Sequence, residues 1–128
     1  MDEIDVLVVD DEEDFASALT ARLTLKGFNA RAVTSGEEAL PAIVNSPPQV
    51  VVLDLKMPDL GGLEVLEGIK SFSQDIEVII LTGHGSVASG IEGMDRGAFD
   101  YIMKPVDLNG IITKINEAYE QYKKNISN

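Results

Sequence analysis

The stretch VVVLDLKMPDLGG, Val50 to Gly62, holds the central question of this chain. Its first four residues are apolar and three are β-branched, the texture of a strand buried on both faces. The run then closes on Asp54. An ionised carboxylate there is costly to desolvate unless something compensates it. Two readings are open. Asp54 is structural, paired or forming an Asx turn into MPDLGG, or it is held at a strand end for chemistry.

Outward from this run, the same texture recurs at Ile4–Val9 and Val78–Leu81, and more weakly at Phe28–Val33 and Phe99–Met103. The segments between have helical spacing. In EEDFASALTARLTLKG, residues 12–27, Phe15, Ala18, Leu19 and Leu23 share a face and Gly27 is a suitable stop. Ser35–Asn45 opens with a cap and two acids but meets Pro41, which predicts a short or bent helix. Leu63, Leu66 and Ile69 align within Gly62–Phe72, and Val87, Ile91 and Met94 in the next segment. Ile111, Ile112, Ile115 and Tyr119 align within Leu108–Lys123.

Five βα units in succession predict an α/β fold: a doubly wound, five-stranded parallel sheet with five helices. The flavodoxin-like order 2-1-3-4-5 is the expected arrangement. Residues 1–128 read as one domain with a core from about 4 to 122, without linker or low-complexity tract. The polar tail QYKKNISN is expected to fray.

Composition removes several functions. No apolar run approaches the ~20 residues of a membrane span. The N-terminus MDEIDVLVV is acidic and is not built as a signal peptide. There is no cysteine, which excludes disulfides, thiolate metal sites and thiol catalysis. A cytoplasmic protein is expected. Acids outnumber Lys plus Arg 22 to 10, for a net charge of −12. That argues against direct nucleic-acid binding and is compatible with a divalent cation. Most of the acidity serves solubility.

In an open parallel sheet, sites form beyond the carboxyl ends of the strands. Strand one ends on Asp10 and Asp11, strand three on Asp54, strand four on Thr82 and strand five on Lys104. Each has a plain alternative. Asp10 and Asp11 could cap the first helix, Thr82 could cap the fourth, and Lys104 could be solvated. Taken together, three carboxylates on one rim repel unless a cation sits between them. An all-oxygen set with few ligands suits Mg²⁺ (or Mn²⁺). With a hydroxyl and an ammonium group added, the set suits phosphoryl transfer, with Asp54 as the central nucleophile.

VDDE with Asp10 and Asp11, LDLKMPDLGGLE around Asp54, LTGHGS with Thr82 and FDYIMKP with Tyr101, Lys104 and Pro105 follow one another at strand ends. In combination they resemble the receiver domain of bacterial two-component response regulators, from Ile4 to about Tyr122. GHGS and GAFDY are most similar to receivers of enhancer-binding transcription activators. The resemblance implies phosphoryl transfer from a sensor histidine kinase, or a phosphotransfer protein, to Asp54. It implies Mg²⁺ held by Asp11, Asp54 and the backbone carbonyl of Lys56, with Asp10 acting mainly through water. Thr82 and Lys104 would grip the phosphoryl oxygens, and the Lys104–Pro105 bond would be cis. Thr82 and Tyr101 would form a switch that alters the face of helix 4, strand 5 and helix 5. Homodimerisation on phosphorylation would use that face.

Gly90 and Gly93 bear on the switch independently. Each costs a helix about 1 kcal/mol relative to Ala, and switching elements come from the low-stability end of a fold. The alternative is that they permit close packing. Lys56 and His84 each lie two residues beyond a site residue, and the resemblance implies that these positions flank the path of attacking water. His84 on its own reads as a loop residue.

Three other functions compete. A phosphatase of the haloacid dehalogenase type also uses a strand-end Asp but resembles a DxD pattern; here Lys56 stands where the second acid would be. An inert receiver-like interaction module would require loss of a site residue, and none is lost. A flavin-binding protein of the same topology would need a Ser/Thr/Gly-rich phosphate loop after strand one, which DDEED does not supply.

Overall fold

The computed structural model describes residues 3–57, 59–83 and 87–127, the side chain of Val87 excepted. The elements alternate as expected: β1 (Asp5–Val9), α1 (Glu13–Leu25), β2 (Asn29–Val33), α2 (Gly36–Asn45), β3 (Val50–Asp54), α3 (Gly62–Phe72), β4 (Glu77–Thr82), α4 (Val87–Asp95), β5 (Asp100–Met103) and α5 (Leu108–Ile126). The strands form one parallel sheet in the order β2-β1-β3-β4-β5.

The apolar runs are where a two-faced sheet needs them. Every residue of β3 and β4 is buried, and Val6 to Val9 of β1 are fully so. Successive side chains point to opposite faces. Leu7, Val9, Val51, Leu53, Val78 and Ile80 therefore meet Ala39 and Ile43 of α2 and Val65, Leu66 and Ile69 of α3. Val6, Val8, Val50, Val52, Ile79 and Leu81 meet Leu19 and Leu23 of α1 and Ile111 and Ile115 of α5. The two strands with the weaker pattern, β2 and β5, are the sheet edges and bury less.

The structure corrects three expectations. On α1 the buried residues are Ala16, Leu19 and Leu23, whereas Ala18 is exposed and Phe15 half-buried. The helix is rotated so that Phe15 and Ala18 border a groove shared with Arg22, Val106 and Leu108. On α4, Ile91 and Met94 are exposed rather than buried. Gly90 and Gly93 face the sheet instead: a methyl group on Gly90 would lie 2.7 Å from the Tyr101 ring, and one on Gly93 would strike Ile80. Close packing thus accounts for both glycines. Glycine carries no hydrophobic signal, so periodicity placed the buried face on the wrong side.

The third correction is the tail, most of which is helical: α5 continues through Ile126. It does so because Asn125 Nδ2 donates to the Asp75 carbonyl at 3.0 Å and to Glu77 Oε2 at 2.7 Å. Glu77 is a buried carboxylate whose other oxygen lies 3.5 Å from Lys70 Nζ. Removing one partner of a buried charge strands the other. Asn125→Ala is expected to cost about 1–3 kcal/mol in urea unfolding and to release the last turn of α5 to amide exchange. Pro41 does not end its helix: α2 continues past it to Asn45, with Ser35 Oγ accepting from Glu38 N at 3.2 Å.

Candidate functional site

The carboxyl ends of β1, β3, β4 and β5 lie side by side because those strands are neighbours. Asp10, Asp11 and Asp54 each present a carboxylate oxygen within 4.8 Å of the others. Asp10 and Asp54 are buried and Asp11 is half-buried. With Glu12, Lys56, Gly83 and Lys104, Asp11 and Asp54 line an open cleft of about 260 Å³.

The plain readings can be tested one by one. Asp54 does form the Asx-type contact: its Oδ1 accepts from Lys56 N at 3.3 Å. Asp10 does likewise, accepting from Glu12 N at 3.0 Å. One such bond does not neutralise a buried carboxylate, so the turn and the chemical reading coexist. Neither Asp10 nor Asp11 caps α1, whose N-cap position is Glu12. Thr82 is buried, and its hydroxyl has no hydrogen-bond partner among the described residues. Lys104 is only partly exposed, and it is paired. Its Nζ lies 2.9 Å from Asp10 Oδ2 and 2.6 Å from Glu12 Oε1, over the Phe15 ring at 4.6 Å. The contact with Asp10 is an ion pair without the alignment of a hydrogen bond.

These placements perturb ionisation. Burial, then the Asp10 carboxylate, pushes Asp54 up to about 6, against the opposing pull of Lys104 and the Lys56 amide. For Lys104, burial favours the neutral amine. The hydrogen bond to Glu12 and the ion pair with Asp10 outweigh it and hold the ammonium form more firmly than usual.

The structure therefore brings Asp11, Asp54, Lys56 and Lys104 to one cleft, with Asp10 buried beside them. Thr82 lines an adjoining cleft with Lys56 and Gly83. Tyr101 stands on β5, half-buried, its ring against Gly90. The Lys104–Pro105 peptide bond is cis. His84, Gly85 and Ser86 lie outside the described residues, so the expectation for His84 has no structural counterpart. Sequence reasoning missed Glu12 as the partner of Lys104. The signal was present as the last letter of VDDE, but a pair 92 residues apart has no local signature.

The family model described as response regulator receiver domain matches residues 6–116. The response regulator MprA of Mycobacterium sp. (strain KMS) is 37% identical over 110 residues, 86% of this chain and 48% of its own length. An NtrX-like response regulator of Rickettsia typhi is 37% identical over 125 residues, 96% of this chain and 26% of its own length. The crystal structure of the receiver domain of NtrX from Brucella abortus superposes with a TM-score of 0.87 at 33% identity, covering 91% of this chain and 98% of that one. The chain thus spans half or less of the curated relatives it matches.

Proposed function

The chain belongs to the response regulator receiver family, and we propose that it accepts a phosphoryl group on Asp54 from a sensor histidine kinase or a phosphotransfer protein. The clustering of three carboxylates, two of them lining a cleft with the Lys104 ammonium group, supports this reading. A set of hard oxygens fits Mg²⁺ or Mn²⁺, and Asp10, Asp11, Asp54 and the Lys56 carbonyl would hold it. When bound, the cation would neutralise charge on the donor's phosphoryl oxygens.

The protein's own groups do the rest. An Asp54 oxygen forms a bond to phosphorus as the bond to the donor nitrogen breaks; the imidazole takes its proton from water. The unpartnered Thr82 hydroxyl and the Lys104 ammonium donate to the phosphoryl oxygens. Thr82 moving toward them vacates space behind it, and Tyr101 follows. Because its ring rests on Gly90, the change passes to α4 and β5, where Ile91, Met94 and Met103 are exposed. That face meets an output domain or a second copy of the chain. The protein is a signalling switch that turns over only its own phosphate, and we place it in the cytoplasm. No helix among the described residues is long and apolar enough to cross a membrane. Direct nucleic-acid binding and membrane binding form no part of this role. Relatives that include NtrX-like regulators accord with receivers of enhancer-binding activators.

Titration with beryllofluoride and Mg²⁺, followed by amide NMR, tests this. Shifts at Asp54, Thr82, Tyr101 and Lys104 that extend into α4 are expected. A protein unchanged by saturating beryllofluoride is an inert module. Turnover of a generic phosphoester such as p-nitrophenyl phosphate would favour the phosphatase. Lys104 must also leave Glu12 to reach the phosphoryl group. Exposed ion pairs of this kind are worth up to about 1 kcal/mol, so Glu12→Gln is expected to tighten beryllofluoride binding by up to about fivefold. Weaker binding would instead make Glu12 the group that positions Lys104.

A further inference from the structure

Residues 55–57 carry Lys56 past the cleft and residues 59–61 lead on to α3, fastened at the base and again, farther along, at Asp59. The base is closed where Gly62 N donates to the Leu55 carbonyl at 3.1 Å. A side chain on Gly62 would lie 2.5 Å from Leu55 Cα and 2.6 Å from the Asp54 carbonyl, so the closure is tight. The fastening at Asp59 is to a different element. Asp59 Oδ1 accepts from Gly36 N at 3.2 Å and Oδ2 from Glu37 N at 2.9 Å.

Those amides begin α2 and have no partner within the helix. A carboxylate is favoured there by the helix dipole as well. The Glu37 amide, ahead of smaller contributions from Leu60 and Gly36, holds the Asp59 carboxyl below the usual range. Leu60 presses on the same turn: a methyl on Gly36 would lie 2.8 Å from Leu60 Cβ. Yet α2 has its own cap in Ser35, which accepts from Glu38 N. The helix start is clasped twice, once by its own residue and once by the loop.

We propose that Asp59 is a positioning residue: by clasping the first turn of α2 it holds the loop, and with it the Lys56 carbonyl, where a divalent cation in the cleft can use that oxygen. Mg²⁺ demands near-ideal octahedral geometry, so a ligand on a loose loop contributes little. Groups that orient metal ligands affect metal affinity even though they never touch the ion. The inference rests on the cleft being a Mg²⁺ site.

Isothermal titration calorimetry with Mg²⁺ on the full chain tests it, using wild type, Asp59→Ala, Asp59→Asn and Ser35→Ala. Asp59→Ala is expected to weaken Mg²⁺ binding about 10-fold, the low end for a group that orients a metal ligand. Asp59→Asn, which keeps an accepting oxygen without the charge, retains more of the affinity. Ser35→Ala removes the other cap of the same helix and leaves Mg²⁺ affinity at the wild-type value. Wild-type affinity in Asp59→Ala overturns the proposal. So does an equal loss in Ser35→Ala, which would make the effect one of helix stability. Equal losses in the Ala and Asn variants would make it one of charge and overturn it too. A wild-type chain that binds no Mg²⁺ defeats the metal reading itself, and the positioning role with it.

Discussion

Asp54→Asn is expected to abolish phosphoryl uptake. Incubated with acetyl phosphate and Mg²⁺, the wild-type chain should gain the mass of one phosphoryl group, and the variant none. The side chains are nearly isosteric, so the three-carboxylate geometry loses a charge and a nucleophilic oxygen but little volume. An amide neither attacks phosphorus as a carboxylate does nor holds a hard cation as well. Chelation with EDTA should remove the adduct's formation in wild type. Uptake that persists in Asp54→Asn would put the acceptor elsewhere, with Asp11, half-buried in the same cluster, the first group to examine.

The same substitution is expected to stabilise the metal-free protein at neutral pH. Asp54 in the folded state loses its proton at about 6 rather than 3.8, first through burial and then through the Asp10 carboxylate. Below pH ~4 the group is protonated in both folded and unfolded chains, and its burial carries no charge penalty. Between these values the folded state binds more protons than the unfolded state, so stability falls as pH rises. Above about 6 the loss is complete. Discounted for water at the open side of the cleft, it amounts to about 1–2 kcal/mol. Asn carries no such charge. Urea unfolding in EDTA at pH 7.5 should therefore show Asp54→Asn more stable by that amount, with the gap closing near pH 4. A hundredfold excess of Mg²⁺ over Kd should reverse the gap, stabilising wild type by about 2.7 kcal/mol. A variant no more stable than wild type at pH 7.5 would mean that Lys104 and the Lys56 amide already compensate the buried charge.

Together these results would describe a site that is strained when empty of cation and relieved by it. The strain has an identifiable source. Asp54 shares its surroundings with Asp10, while Lys104, the natural counter-charge, is occupied by Asp10 and Glu12. A newly attached phosphoryl group competes for that ammonium on favourable terms, since charge-assisted bonds to phosphate are strong.

Much of this protein is written locally. Val50–Leu53 and Val78–Leu81 are apolar without alternation, which only a strand covered on both faces requires. Three such runs and two weaker ones, separated by helical spacing, leave few topologies, because parallel strands need right-handed crossovers. The polar residues closing β1, β3, β4 and β5 then land on a shared rim, so Asp10, Asp11, Asp54, Thr82 and Lys104 could be named before any coordinates. Tertiary structure decided what depends on groups far apart in sequence. α4 turns Gly90 and Gly93 to the sheet because β5 brings Tyr101 close, which no periodicity in α4 records. The polar tail becomes helix because Asn125 finds Glu77, 48 residues away. Lys104 finds Glu12, and Asp59 finds the start of α2, by the same kind of meeting. Hydrophobic burial is read from composition and period, since it is non-directional and averages over a face. A hydrogen bond or ion pair is directional and short-ranged, so its partner is known only once the chain has folded.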